Sequence, residues 1–224
     1  QRLPARMGSF ALANRLAIFL WASLPDEELL GLAEAGTLEK PEVLRSQVQR
    51  LLGDARSKRF VQHFVDQWLG LDRIESVTHV SDASLREAML AEPVALFEEV
   101  LKQGGSVMDF LDCGYTMLNE RLAAHYRIPG VRGPDFRKVA IDRQANRGGL
   151  LPCAALLTIN SDGKDSHPVK RGVWLLQRML QDPPPPPPPN VPQVDLTDPE
   201  ILKMTLKERI ENHRNQPCLL YTSD

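Results

Sequence analysis

Seven consecutive prolines at 183–189 limit this 224-residue chain more than any other feature. Proline lacks a backbone N–H and fixes φ, so the run cannot continue a helix. It is expected as polyproline II, rising roughly 3.1 Å per residue. The stretch just before it, S-H-P-V-K-R-G-V-W-L-L-Q-R-M-L-Q-D at 166–182, reads as a helix. Pro168 suits a first turn, where a missing N–H is no loss. Val169, Val173, Leu176 and Leu180, with Leu175 and Met179 beside them, recur at helical spacing and predict one apolar face. A chain that buries a helix and then runs out as a rod holds two parts at a distance or lies along a surface.

The rest of the composition is globular, with 42% apolar and 25% charged residues. Net charge is −2, from 27 basic and 29 acidic residues, which gives no reason to expect nucleic acid or an anionic membrane as partner. Three cysteines, an odd number, make no disulfide framework. No run reaches the roughly 20 apolar residues of a membrane span. The most apolar stretch, 10–24, carries Asn14 and Arg15 inside it rather than a charge before it, so it reads as a buried helix and not a signal. The chain starts at Gln1, and the native N-terminus with any signal is expected upstream.

The periodicity predicts a mainly α fold: an irregular helical bundle with at most a small β-hairpin, then the polyproline segment and a short C-terminal helix. Ser9 is expected to cap a first helix with Phe10, Ala13, Leu16, Ala17, Leu20 and Trp21 on most of its faces, the pattern of a central core helix. A second helix starts at Asp26-Glu27-Glu28 and stops at Gly36; a third opens at Pro41. Asp54 is a cap for a fourth, where Phe60, Val61, Phe64, Val65, Trp68 and Leu69 form a double stripe, the strongest helix signal in the chain. Residues 71–82 read as a loop. A long helix then carries Leu85, Met89, Leu96, Phe97 and Val100 in phase, with Pro93 expected to kink or divide it. Glu92 falls in the same phase. A carboxylate there is expected to snorkel at the edge or pair with a cation. Residues 107–111 and 119–126 suggest short helices, and 136–141 the one plausible strand.

Several phrases carry a resemblance: P-D-E-E-L-L at 25–30, F-V-Q-H-F-V-D-Q-W-L-G-L at 60–71, L-N-E-R-L-A-A-H-Y-R-I-P-G at 118–130, R-G-G-L-L at 147–151, S-H-P-V-K-R-G-V-W at 166–174, and L-K-E-R-I-E-N-H-R at 206–214. In this order they resemble a pair of adjacent domains of unknown function found in large exported planctomycete-type proteins that also carry cytochrome c domains. The resemblance covers residues 9–217. It implies export to the periplasm or cell surface, other domains of the same large chain as partners, and no established reaction. It also implies that a Cys-x-x-Cys-His segment for c-type haem follows His213 in the full-length protein. His213 and Cys218 would be the haem-side residues. Here Cys218 is followed by L-L-Y-T-S-D, with no second cysteine and no histidine, so the fragment itself is expected to hold no cofactor. C-L-L-Y-T-S resembles a translated sequencing adaptor, and 218–224 reads as an artefact. The expected organisation is a helical bundle at 1–104, a smaller helical domain at 105–182, a proline-rich segment at 183–199 and a C-terminal helix at 200–217.

No catalytic constellation is recognisable. The histidines show no metal-ligand spacing, and Gly148-Gly149 lacks the rest of a phosphate loop. Lys170 and Arg171 are the sharpest candidates. They sit in the first turn of a helix, where cations oppose the dipole, and so invite an anion or an acidic side chain; Glu92, Asp162 and Asp165 are the internal choices. The expected function is a non-catalytic scaffold or interaction module of a large exported protein, next to a haem segment. Two alternatives belong to other classes. One is an enzyme domain acting on polysaccharide, with Glu92 and Glu120 as its carboxylates; the other is a peptide-binding module.

Overall fold

Helix α1, Ser9–Trp21, packs against α2, Glu27–Glu34, and α3, Pro41–Gly53. The computed structural model describes residues 8–77, 79–141, 147–161, 163, 167–185, 203–205, 207, 208 and 211. α1 buries Ala13, Ala17, Leu20 and Trp21, but Phe10 is exposed, so the helix is covered on one side rather than on most faces. Small Ala13 and Ala17 let the neighbouring backbones come close. Ser9 does not cap α1. The cap position is Gly8, and the Ser9 hydroxyl donates instead to Glu39 at 2.9 Å.

Asp26 caps α2 by accepting from the Leu29 N–H at 3.1 Å, and Arg50 of α3 grips the same carboxylate at 2.7 Å. The Trp21 indole N–H donates to the Leu51 carbonyl at 2.9 Å, and the Arg56 guanidinium lies 3.4 Å from its ring centre. These three helices and Leu38 make the smaller of two cores.

The larger core is built on α4, Lys58–Leu69, and α5, Ala83–Gln103. The double stripe of α4 holds at five of its six positions: Val61, Val65 and Leu69 are buried and Phe60 and Trp68 pack against them, but Phe64 is 40% exposed. Residues 71–76, expected as loop, form a tight helical turn, Leu71–Ser76, that buries Leu71 and Ile74. α5 runs through Pro93 as one 21-residue helix, because Met89, Glu92, Pro93, Leu96 and Phe97 on both sides of the missing N–H are all buried. Strand β1, Tyr115–Leu118, pairs antiparallel with β2, Arg137–Ala140, in the register Thr116↔Val139. Between them lies α6, Glu120–Tyr126, capped by the Asn119 side chain. The fold class is mainly α, as expected, and α7, Ala154–Ile159, and α8, Pro168–Leu175, complete it.

α8 corrects its predicted apolar face. Val169 and Leu180 are 61% and 62% exposed, and the inward side chain is Trp174, with Leu175 and Met179 beside it. Past Leu175 the helix widens into a π turn over Leu176–Leu180, which breaks the 3.6-residue register the stripe assumed.

This turn is locked to the end of α4. The last carbonyls of any α-helix lack intrahelical partners. Here Leu69 O accepts the Trp174 indole N–H at 3.0 Å, and Gln67 O accepts from Arg178 at 3.1 Å. In return the Trp68 indole N–H donates to Arg178 O at 2.8 Å. Gly70, at φ 67, turns the chain where an added Cβ would lie 3.0 Å from the Arg178 guanidinium.

The first compact unit spans Gln1–Gln181 and the second Asp182–Asp224. Pro183, Pro184 and Pro185 are exposed and carry no regular secondary structure; the rest of the polyproline run lies outside the described residues. Within the second unit, Thr205 and Glu208 bond reciprocally, Thr205 N–H to the Glu208 carboxylate at 2.6 Å and Glu208 N–H to the Thr205 hydroxyl at 3.4 Å.

Replacing Trp174 with Phe keeps an aromatic ring, though a smaller one, and strands the buried Leu69 carbonyl. Urea unfolding should then show a loss of about 1–3 kcal/mol. An unchanged midpoint would refute the role given to this bond.

Candidate functional site

Glu92 is the most buried carboxylate among the described residues, and the fold explains why it is tolerated. It lies on the buried side of α5 and is 2% exposed. Its Oε1 accepts from the Thr116 hydroxyl of β1 at 3.2 Å. Its Oε2 accepts from the Tyr126 hydroxyl of α6 at 2.6 Å and from the Ala154 N–H, the first of α7, at 3.0 Å. The Ala154 N–H also lies 2.8 Å from the Tyr126 oxygen. One carboxyl group thus joins four elements. The expectation that Glu92 snorkels or pairs directly with a cation is corrected: its direct partners are neutral donors.

Burial pushes the Glu92 carboxyl up to about 7, against the lowering effects of Tyr126, Ala154, Thr116 and the more distant charge of Arg147. Burial, with the Glu92 charge beside it, also raises Tyr126 and Cys153. Arg147 does not touch Glu92; its guanidinium lies 3.9 Å from the Tyr126 ring centre.

The R-G-G-L-L phrase positions this network. Gly148 has φ 108, and an added Cβ would meet the Cys113 carbonyl at 2.0 Å; at Gly149 one would meet the Leu111 carbonyl at 2.6 Å. Leu150 N–H donates to Phe110 O at 2.8 Å. The glycines therefore let 148–150 lie flat on the 110–113 backbone, which delivers Ala154 to Glu92.

The other predicted residues are not gathered there. Glu120 accepts from Arg132 at 3.1 Å and from the Gly133 N–H at 2.8 Å, and these bonds hold its carboxyl below the usual range. It lines a cleft with Arg121, Glu87 and Phe136. Lys170 and Arg171 are both exposed on α8, and no described carboxylate lies within 4.0 Å of either. Asp162, Asp165, His213 and Cys218 lie outside the described residues. Among the described residues no cluster of three or more His, Cys, Asp or Glu could hold a metal ion. Nor do these residues fit a c-type haem: Cys113 and Cys153 are buried against Gly149, the first accepting its N–H at 3.2 Å and the second 3.5 Å from its carbonyl. Tyr126 was missed in the sequence, yet it shares a helical face with inward Leu122 and Ala123, a signal that it points to the core.

The first unit is therefore a helical module whose two consecutive sequence segments share one core. The first segment, 7–128, matches the family described as PSD4, protein of unknown function (DUF1592). That match covers more than half of the chain, and the chain belongs to this family. Residues 147–219 match a second, PSCyt3, protein of unknown function (DUF1588). The tandem is consistent with the paired domains of unknown function associated with cytochrome c domains. No curated protein and no solved structure matches the chain.

A carboxyl raised by burial binds its proton more tightly in the folded state than in the unfolded one. Its stabilising contribution is full below about pH 4.5 and is lost as pH rises through about 7. Glu92→Gln mimics the protonated form, so it should flatten the fall in stability over that window. Glu92→Leu should cost about 3–5 kcal/mol by stranding the Thr116 and Tyr126 hydroxyl donors. Urea titrations at a series of pH values measure both; an identical pH slope in wild type and Glu92→Gln would refute the assignment.

Proposed function

We propose that the chain is a non-catalytic scaffold and interaction module of a larger exported multidomain protein. The observation that carries this reading is the enclosure of Glu92. Among the described residues its hydrogen bonds run inward to Thr116, Tyr126 and Ala154, and it lines none of the clefts around Glu120, Arg147 or Trp174. A glycoside-cleaving site needs two carboxylates about 5–10 Å apart in one cleft, one of them raised to act as an acid. Glu92 is raised but enclosed, and Glu120 is in a cleft but lowered. The scaffold reading asks nothing further of either residue. In it, the proline run spaces the module from a haem-bearing part of the larger protein, and other domains of that protein are its partners.

Amine-reactive cross-linking of the full-length protein, read by mass spectrometry, should join Lys102, Lys138 or Lys170 to other domains. Glu92→Gln and Glu120→Gln should leave any polysaccharide turnover of that protein unchanged. A fall of roughly 100-fold in turnover, in a variant with the wild-type melting midpoint, would favour the enzyme instead.

A further inference from the structure

Two clefts adjoin where residues 111–112, 147–160 and 168–175 come together. One, of about 600 Å³, has Arg147, Arg171 and Asp112 as its charged positions and Leu111, Leu151 and Leu157 among its apolar ones. The other, of about 280 Å³, shares Leu151, Leu157 and Arg171 and continues past Gly172 to Leu175. Together they form one groove of the size small-molecule sites take. Leu111, Leu151 and Leu157 are each more than a third exposed, an apolar strip left open to water.

Neither cation beside this strip forms an ion pair with a described carboxylate. Arg147 is already ordered by its stacking on Tyr126. Gly172 adds an independent sign. Glycine is the least favourable residue after proline inside a helix. Yet nothing lies within 4 Å of where its Cβ would be, so packing inside the chain does not require it. A glycine here leaves the helix backbone open to close approach from the groove.

The geometry points to this groove as a binding site for an amphiphilic monocarboxylate of the fatty-acid type, its head between Arg147 and Arg171 and its chain along the leucines towards Gly172. A carboxylate matches the paired N–H groups of a guanidinium. Asp112 lowers the net charge of the groove's lining to +1 by count, two arginines less one aspartate, which suits a singly charged head. This goes beyond the scaffold reading, whose test is cross-linking and not ligand binding.

Isothermal titration of the whole chain with octanoate tests it. Octanoate should bind one to one, and acetate and 1-octanol at least about tenfold more weakly, because each lacks one half of the recognition. Arg171→Gln, at an exposed position, and Arg147→Gln should each weaken octanoate about 10–100-fold. Gly172→Ala should raise the melting midpoint by about 2–4 °C and still weaken octanoate, separating stability from binding. Octanol binding as well as octanoate, octanoate indifferent to both arginine substitutions, or Gly172→Ala of unchanged affinity would each overturn the site. Tighter binding of acetyl-Asp-Leu-Asp-Leu-amide than of octanoate would assign the groove to a polypeptide and overturn it too.

Discussion

The carbonyls at the C-terminal end of α4 set the constraint on which the first unit turns. A buried helix end needs donors from elsewhere. Gly70 supplies one locally, through its N–H to Asp66 O. Trp174 and Arg178 supply two more from 105 and 111 positions along the chain. Trp68 returns a bond to the π turn at Arg178, so each helix end satisfies the other. These bonds join the segment matched by the first family to the segment matched by the second. The close approach also explains why the turn at residue 70 is a glycine.

The Glu92 network repeats the same logic deeper in the core. Its three donors come from β1, α6 and the start of α7, and Ala154 belongs to the second family's segment. Burying a carboxyl is unfavourable unless it is bonded or neutral, and here it is both well bonded and raised towards neutrality. The cost fixes which strand and helices meet, since a shifted register would leave Tyr126 and Ala154 without their acceptor. Both devices make the two segments interdependent.

Much of this was legible in the sequence. The α4 stripe, the acidic start of α2 at Asp26, the short helix at 119–126 and the in-phase position of Glu92 are local signals, and local signals survive into the fold. What the sequence hid depends on long-range partners. The π turn after Leu175 rotated the predicted face of α8, because Trp174 is held by a carbonyl that no periodicity can locate. Phe10 is exposed because α1 finds neighbours on its alanine side alone. Glu92 was correctly singled out, but its partners are spread from 116 to 154, and a hydroxyl and a backbone N–H leave no charge signature. The Gly148-Gly149 pair read as a failed phosphate loop, and only the backbone at 110–113 shows what it fits.

Native-state hydrogen exchange, followed by mass spectrometry on the full chain, tests the interdependence most directly. If the α4 end and α8 hold each other, peptides from Lys58–Leu69 and Pro168–Leu175 should open in one cooperative step with the same free energy. Exchange of the α8 peptide at much lower free energy, with α4 still protected, would contradict the account.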